Sequence, residues 1–203
     1  LSMTYKTAKT ENNQRKLQVR MLGGFSILYD GKEIVPGRNM TSKFTQLLQI
    51  VWLHGENGIS REQLIDALYG EEDSANISNS FNNLIYQMRK QMVRAGLPAS
   101  DYVQKTCRIY VPDPEITVEV DVLQFKALFR EGLEAGSEDA RYAGNTKALD
   151  LYRGQLLSHI STESWVIIEN AALQKDFDEI VTWMGQYLDA RREYDTMYHM
   201  YEK

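Results

Sequence analysis

An α+β fold is predicted, with a small antiparallel sheet at the N-terminus, a three-helix unit closed by a hairpin, and an all-helical second half. Three observations predict it. Apolar residues alternate with polar ones at 17–22 and again at 25–29, but recur at three- and four-residue spacing from Phe44 onward. Asp30-Gly31 stands between two strand-like runs as a tight-turn signal. Glycine or proline punctuates each change of periodicity, at Pro36-Gly37, Gly55, Gly70, Gly96-Leu97-Pro98 and Pro112.

Each element follows from its own residues. Positions 4–15 are polar and without periodicity, so 1–16 is expected to be a disordered leader. Leu17, Val19 and Met21 alternate, Gly23-Gly24 interrupts, and Phe25 to Tyr29 and Lys32 to Val35 complete the sheet. Thr41 or Ser42 is suited to cap a helix with Phe44, Leu47, Leu48, Val51 and Trp52 on one side. Ser60-Arg61-Glu62-Gln63 is a capping box, opening a short helix that turns Leu64, Ile65 and Leu68 inward and stops at Gly70. A third helix is expected over about 78–95, its apolar stripe being Phe81, Leu84, Ile85, Met88 and Met92. Two short strands within 102–111 follow, turning at Thr106-Cys107. Four helices then account for the rest. They are marked by Val122 to Leu133, by Ala140 to Tyr152, by Trp165 to Leu188, and by the stretch from about Arg192. The domain break is placed at 113–117, giving one domain over 17–113 and a helical one over 118–203.

Strands, three helices and a closing hairpin, in that order, describe a winged helix-turn-helix, with the second and third helices as the pair and the hairpin as the wing. A sheet in front of it is the arrangement of OmpR-type DNA-binding domains.

Composition bounds what such a chain does. Its 203 residues are 43% hydrophobic and 25% charged, the balance of a globular protein with a core. No run approaches the length of a membrane span. The first residues lead into no apolar core, so no signal peptide is expected. One cysteine, Cys107, excludes a disulfide framework and a cysteine-rich zinc site and fits a reducing cytoplasm, the expected location. The net charge of −5 is uneven: 1–16 carries +3, 17–112 carries +1, and 113–203 carries −9. A polyanionic partner is therefore excluded for the last part and left open for the first two.

On the third helix Asn79, Asn82, Asn83, Tyr86 and Gln87 lie opposite the apolar stripe and are the candidate base-reading residues. Asn and Gln pair bidentately with adenine N6 and N7. Lys43, Arg61, Arg89, Lys90 and Arg94 are candidate phosphate contacts, and Lys105 and Arg108 would take the wing to an adjacent groove or to the backbone. Set against this is the plainer expectation that a polar helix face is merely solvated. Glu71-Glu72-Asp73 is read as a solvated acidic loop, and the aromatic set Trp165, Tyr152, Phe177, Trp183, Tyr187, Tyr194 and Tyr198 chiefly as interhelical core, with a peptide groove as the alternative. Cys107, at the expected wing tip and with no His within ten residues, is read as a plain thiol, with a redox sensor activated by Lys105 and Arg108 as the alternative. His54, His159 and His199 are too far apart to form a ligand motif. No phosphate-binding loop, nucleophile elbow or zinc-protease motif is present, so neither an enzyme nor a metal or cofactor is expected.

Several stretches resemble the Streptomyces antibiotic regulatory proteins, the SARP family. They are Leu22-Gly23-Gly24-Phe25, Tyr29-Asp30-Gly31-Lys32, Lys43 with Leu47-Leu48, and the run from Ser60 to Gly70. Val120-Asp121-Val122 with Phe125, the run from Ala148 to Gly154, and Trp165 continue the likeness, which covers about 18–203. It implies an OmpR-type winged helix followed by a bacterial transcriptional activator domain of tetratricopeptide-like helices, here expected to be truncated. The implied function is sequence-specific regulation of transcription. Double-stranded promoter DNA would be the partner, RNA polymerase or another regulator a protein partner, and a dimer or side-by-side pair the state on DNA. The third helix departs from the family in having Asn, Tyr and Gln where several Arg are usual, and the wing keeps only Tyr110 of a Gly-Gly-Tyr ending. The competing expectation is a protein-interaction scaffold whose winged helix has weak or no DNA binding.

Overall fold

The computed structural model describes residues 15–34, 41–70 and 77–202. Positions 1–14 of the expected leader, Pro36-Gly37 and Glu71-Glu72-Asp73 lie outside them, while the leader's last two residues, Arg15 and Lys16, are corrected to the first strand, where they pair with Ile116 and Thr117. In chain order come β1 (Arg15–Arg20), β2 (Ser26–Tyr29), β3 (Lys32–Ile34), α1 (Lys43–His54), β4 (Ile59–Ser60), α2 (Arg61–Tyr69) and α3 (Ile77–Arg94). These are followed by β5 (Val103–Thr106), β6 (Ile109–Pro112), β7 (Ile116–Val120), α4 (Asp121–Leu133), α5 (Glu138–Leu151), α6 (Ser164–Ala190) and α7 (Tyr194–Tyr201).

The alternation at 17–22 places Leu17, Val19 and Met21 in the core. β1 pairs antiparallel with β2, Val19 opposite Ile27, and β2 pairs with β3 across Asp30-Gly31. Both turn residues have positive φ, 50° and 72°, as a two-residue hairpin with the right twist requires. The sheet is not purely antiparallel, which corrects the sequence expectation. β7 lies parallel to β1 with Leu17 opposite Val118, making the order β3-β2-β1-β7. Ile116, Val118 and Val120 alternate with Thr117 and Glu119, so the strand has its own pattern. Its partner is a hundred residues away, and the prolines before it read as a break. β7 thus begins inside the stretch placed between the two expected domains, and it runs into α4 with no linker.

α1 starts at Ser42, whose carbonyl accepts from the amides of Thr45 and Gln46, while its hydroxyl pairs with the Thr45 hydroxyl instead of capping the backbone. The capping box of α2 forms in full: Gln63 N–H donates to Ser60 Oγ and Ser60 N–H to Gln63 Oε1. A second sheet, in the order β4-β6-β5, covers this unit. β4 was not expected, and the hairpin turns at Cys107-Arg108, one residue later than predicted, with Cys107 at φ 57°. β4 is only two residues long, bounded by Gly58 at φ 67° and by Ser60, which caps α2, and Gly58 runs so close to β6 that a Cβ would lie 2.9 Å from Tyr110 O.

One apolar core joins both sheets and the helices. The Asp121 carboxylate, at the start of α4, accepts from Met21 N–H at 2.9 Å, Leu22 N–H at 3.1 Å and Val122 N–H at 2.8 Å. Burial lifts this carboxyl above its ordinary range, against the pull of those amides. Nearby, Leu157 N–H donates to Met21 O and Gly23 N–H to Gln155 O. In the helical half α4 and α5 pack where Gly132 faces Asn145, and α6 buries Leu173, Ile180, Met184 and Leu188. No helix among the described residues is long and apolar enough to cross a membrane.

Candidate nucleic-acid interface

α3 is amphipathic as its spacing predicts. Phe81, Met88 and Met92 are fully buried, and Leu84 and Ile85 are half-buried. Phe81 meets the Tyr110 ring edge-on at 5.6 Å, which seats the β5–β6 hairpin on the inner face of the helix. Gly96, at φ 95°, closes the helix: Leu97 N–H reaches Met92 O and Gly96 N–H reaches Val93 O, the two bonds of a Schellman cap.

Asn79, Asn82, Asn83, Tyr86 and Gln87 all stand on the opposite, exposed face, Tyr86 at 57% exposure. The four amide side chains make no hydrogen bond to another described residue. Asn79 to Gln87 covers about 12 Å of helix at 1.5 Å per residue. The structure therefore brings the base-reading candidates into one stripe.

The cations are less uniform. Arg89 is drawn to Asp101, 3.2 Å away on the approach to β5. The Lys90 ammonium lies over Tyr86 at 5.6 Å, the Lys43 ammonium over Tyr69 at 4.0 Å, and the Arg61 guanidinium over Phe81 at 5.2 Å. Arg94 is exposed in the last turn of α3, Lys105 is exposed on β5, and Arg108 is exposed in the hairpin turn. The Glu62 carboxyl is held below its ordinary value by its own backbone amide and the Ser60 hydroxyl. The charges of Arg61 and then Arg108 add to this.

The hairpin is anchored at its base by Asp113, which sequence reasoning left in the break. Asp113 Oδ2 accepts from Ser100 Oγ at 2.5 Å and from Asp101 N–H, and Oδ1 accepts from Glu115 N–H. Burial works to raise this carboxyl, but those donors and the charge of Arg89 outweigh it and hold it below the ordinary value. Asp101 and Asp113 together fix the angle between α3 and the hairpin. Their signal was weak: two aspartates flanking a hairpin read first as turn residues.

The aromatic set does not converge on one groove. Tyr152 stacks on Phe177 at 4.2 Å, and Trp183, Tyr187 and Tyr142 form a second stack. Arg141 lies over Trp183 and Arg191 over Tyr187. Trp165 Nε1–H donates to Gln46 on α1, while Tyr194 and Tyr198 are exposed on α7. His54 bonds the Ile50 carbonyl and His199 faces Glu202, far from one another. Among the described residues no three potential metal ligands cluster.

Residues 120–202 match the family described as the bacterial transcriptional activator domain. No curated protein matches the chain. Among solved structures, Mycobacterium tuberculosis EmbR in complex with a low affinity phosphopeptide is similar in fold. The TM-score is 0.65 at 20% identity, over 91% of this chain and 51% of that one. The chain thus spans about half the length of the EmbR chain.

Proposed function

We propose that the chain is a sequence-specific DNA-binding regulator of transcription. In this proposal α1, α2, α3 and the second sheet form a winged helix-turn-helix over 17–113. α3 enters the major groove, and the β5–β6 hairpin is the wing on an adjacent groove. Residues 118–203 form a tetratricopeptide-like domain for contacts with RNA polymerase, another regulator or a neighbouring copy on DNA, in the cytoplasm. An exposed stripe of amides without a partner among the described residues, on the helix that a hairpin and a capped α2 hold in place, carries the proposal. The match of 120–202 to a transcriptional activator domain supports it, as does the regional charge, since −9 over 113–203 keeps DNA to the first half.

The test is fluorescence anisotropy of the full chain on a labelled duplex from the region upstream of its own gene. With about five phosphate contacts, log K should fall with log salt at a slope of about −4 to −5. Absence of binding to any duplex at low salt defeats the proposal.

A protein-interaction scaffold is the second reading. The internal engagement of Lys43, Arg61, Arg89 and Lys90 favours it, because cations held against rings and carboxylates contribute less to a phosphate footprint. A salt slope near zero is its expected signature.

A further inference from the structure

We infer that the half-site read by α3 consists of A·T pairs, with amide side chains on adenine and Tyr86 against a thymine methyl group. This rests on the proposal that α3 lies in the major groove. Each base pair shows a distinct pattern there: guanine is met by bidentate Arg or Lys, cytosine by a carboxylate accepting from N4, adenine by Asn or Gln, and thymine by an apolar surface on its methyl. α3 contains no Asp or Glu, so it lacks the carboxylate that pairs best with cytosine N4. Arg89 is engaged by Asp101 on the hairpin approach, and Lys90 is held over the Tyr86 ring. Arg94 lies seven residues beyond Gln87, about 10 Å further along the axis. What remains on the stripe is Asn79, Asn82, Asn83, Tyr86 and Gln87.

The length of the stripe sets the size of the half-site. Twelve ångströms of helix, estimated at 1.5 Å per residue, faces about three to four base pairs at 3.4 Å each. The amides supply paired donor and acceptor atoms for adenine N7 and N6. The Tyr86 ring is exposed and aromatic, between Asn83 and Gln87 on the stripe, with the Lys90 ammonium above it, and its ring carbons offer an apolar surface to a thymine methyl.

The experiment selects duplexes from a random pool with the full chain, then measures affinity for the winning duplex and for base analogues. Three to four adjacent A·T positions are expected. Uracil in place of thymine, which removes only the methyl, should weaken wild-type binding about fourfold at the sensitive position, the value of one buried carbon. It should have no effect on Tyr86→Ala and the full effect on Tyr86→Phe, which keeps the ring. 7-Deazaadenine, which removes N7, should weaken wild-type binding about fivefold or more. The analogue measurements on wild type stand whether or not a variant folds. Enrichment of G·C pairs, or indifference of wild type to both analogues, overturns the inference while DNA binding itself stands. If no duplex binds at low salt, the proposed function fails and this inference fails with it.

Discussion

The exposed face of α3 and the α5–α6 surface are both polar helix faces whose cations are in part engaged, yet only α3 adds a row of amides without a partner among the described residues. On α5 and at the end of α6, Arg141 and Arg191 are engaged within the chain. Arg141 lies over Trp183 at 4.5 Å, Arg191 lies over Tyr187 at 3.5 Å and reaches Glu138 and Asp139, and the Tyr187 hydroxyl donates to Asp139 at 2.6 Å. On α3 the four amides have no described protein partner. A side chain whose polar atoms are already paired must break those contacts before it binds anything else, whereas an unpaired exposed amide only exchanges water. The difference separates a surface that stiffens its own domain from one available to a ligand.

Removing the support beneath the α3 face should have the largest effect. Phe81→Ala opens a cavity under the helix and against Tyr110, and is expected to lower the unfolding free energy by about 3–5 kcal/mol in urea titration. Normal stability with lost sequence preference would show that the two faces are assigned the wrong way round. Asp121→Ala tests the junction instead. It orphans the buried amides of Met21 and Leu22, at a cost of about 1–3 kcal/mol for each, and leaves sequence preference on DNA unchanged. Unaltered stability would mean that those bonds do not hold the sheet to α4.

The face itself is tested by Asn83→Ala. Its melting temperature should stay close to wild type, since solvent-facing substitutions fall within about ±0.5 kcal/mol. Binding to the selected site should weaken by about 1–3 kcal/mol, with little change on scrambled DNA. Equal losses on both duplexes would remove Asn83 from base reading.

Acid probes the hairpin base. Because the folded Asp113 carboxyl lies below its ordinary 3.8, its ionised form contributes stability in full above that value. The contribution is lost as pH falls through the lower folded value. Wild type should therefore lose melting temperature in the acid range below about pH 4 more steeply than Asp113→Asn. Parallel profiles for the two proteins would count against the anchor.

The smallest effects complete the contrast. Lys90→Ala should flatten the salt slope by about one unit without changing sequence preference. Arg141→Met should cost about 0.5–1 kcal/mol of stability by loss of its cation–π contact, and leave DNA affinity unchanged. An Arg141 variant that bound DNA more weakly would dissolve the distinction between the two surfaces.

Local pattern by itself determined most of the elements. The alternation at 17–22, the Asp30-Gly31 turn, the Ser60/Gln63 box and the apolar stripe of α3 depend on neighbours within a few residues, and all appear in the structure. The same pattern put Asn79, Asn82, Asn83, Tyr86 and Gln87 on one exposed face, because helical periodicity settles which side of α3 turns away from Phe81. Only tertiary structure decided what depends on distant partners. The parallel pairing of β7 with β1 joins residues a hundred positions apart, and the Asp121 carboxylate finds its amides at the same separation. The engagement of Arg89 by Asp101 and of Lys90 by Tyr86 likewise could not be read from residue type, since a cation looks equally available to phosphate until its neighbours in space are known. Periodicity sorts side chains by face, but the charge a face offers depends on which of its groups the fold has already paired.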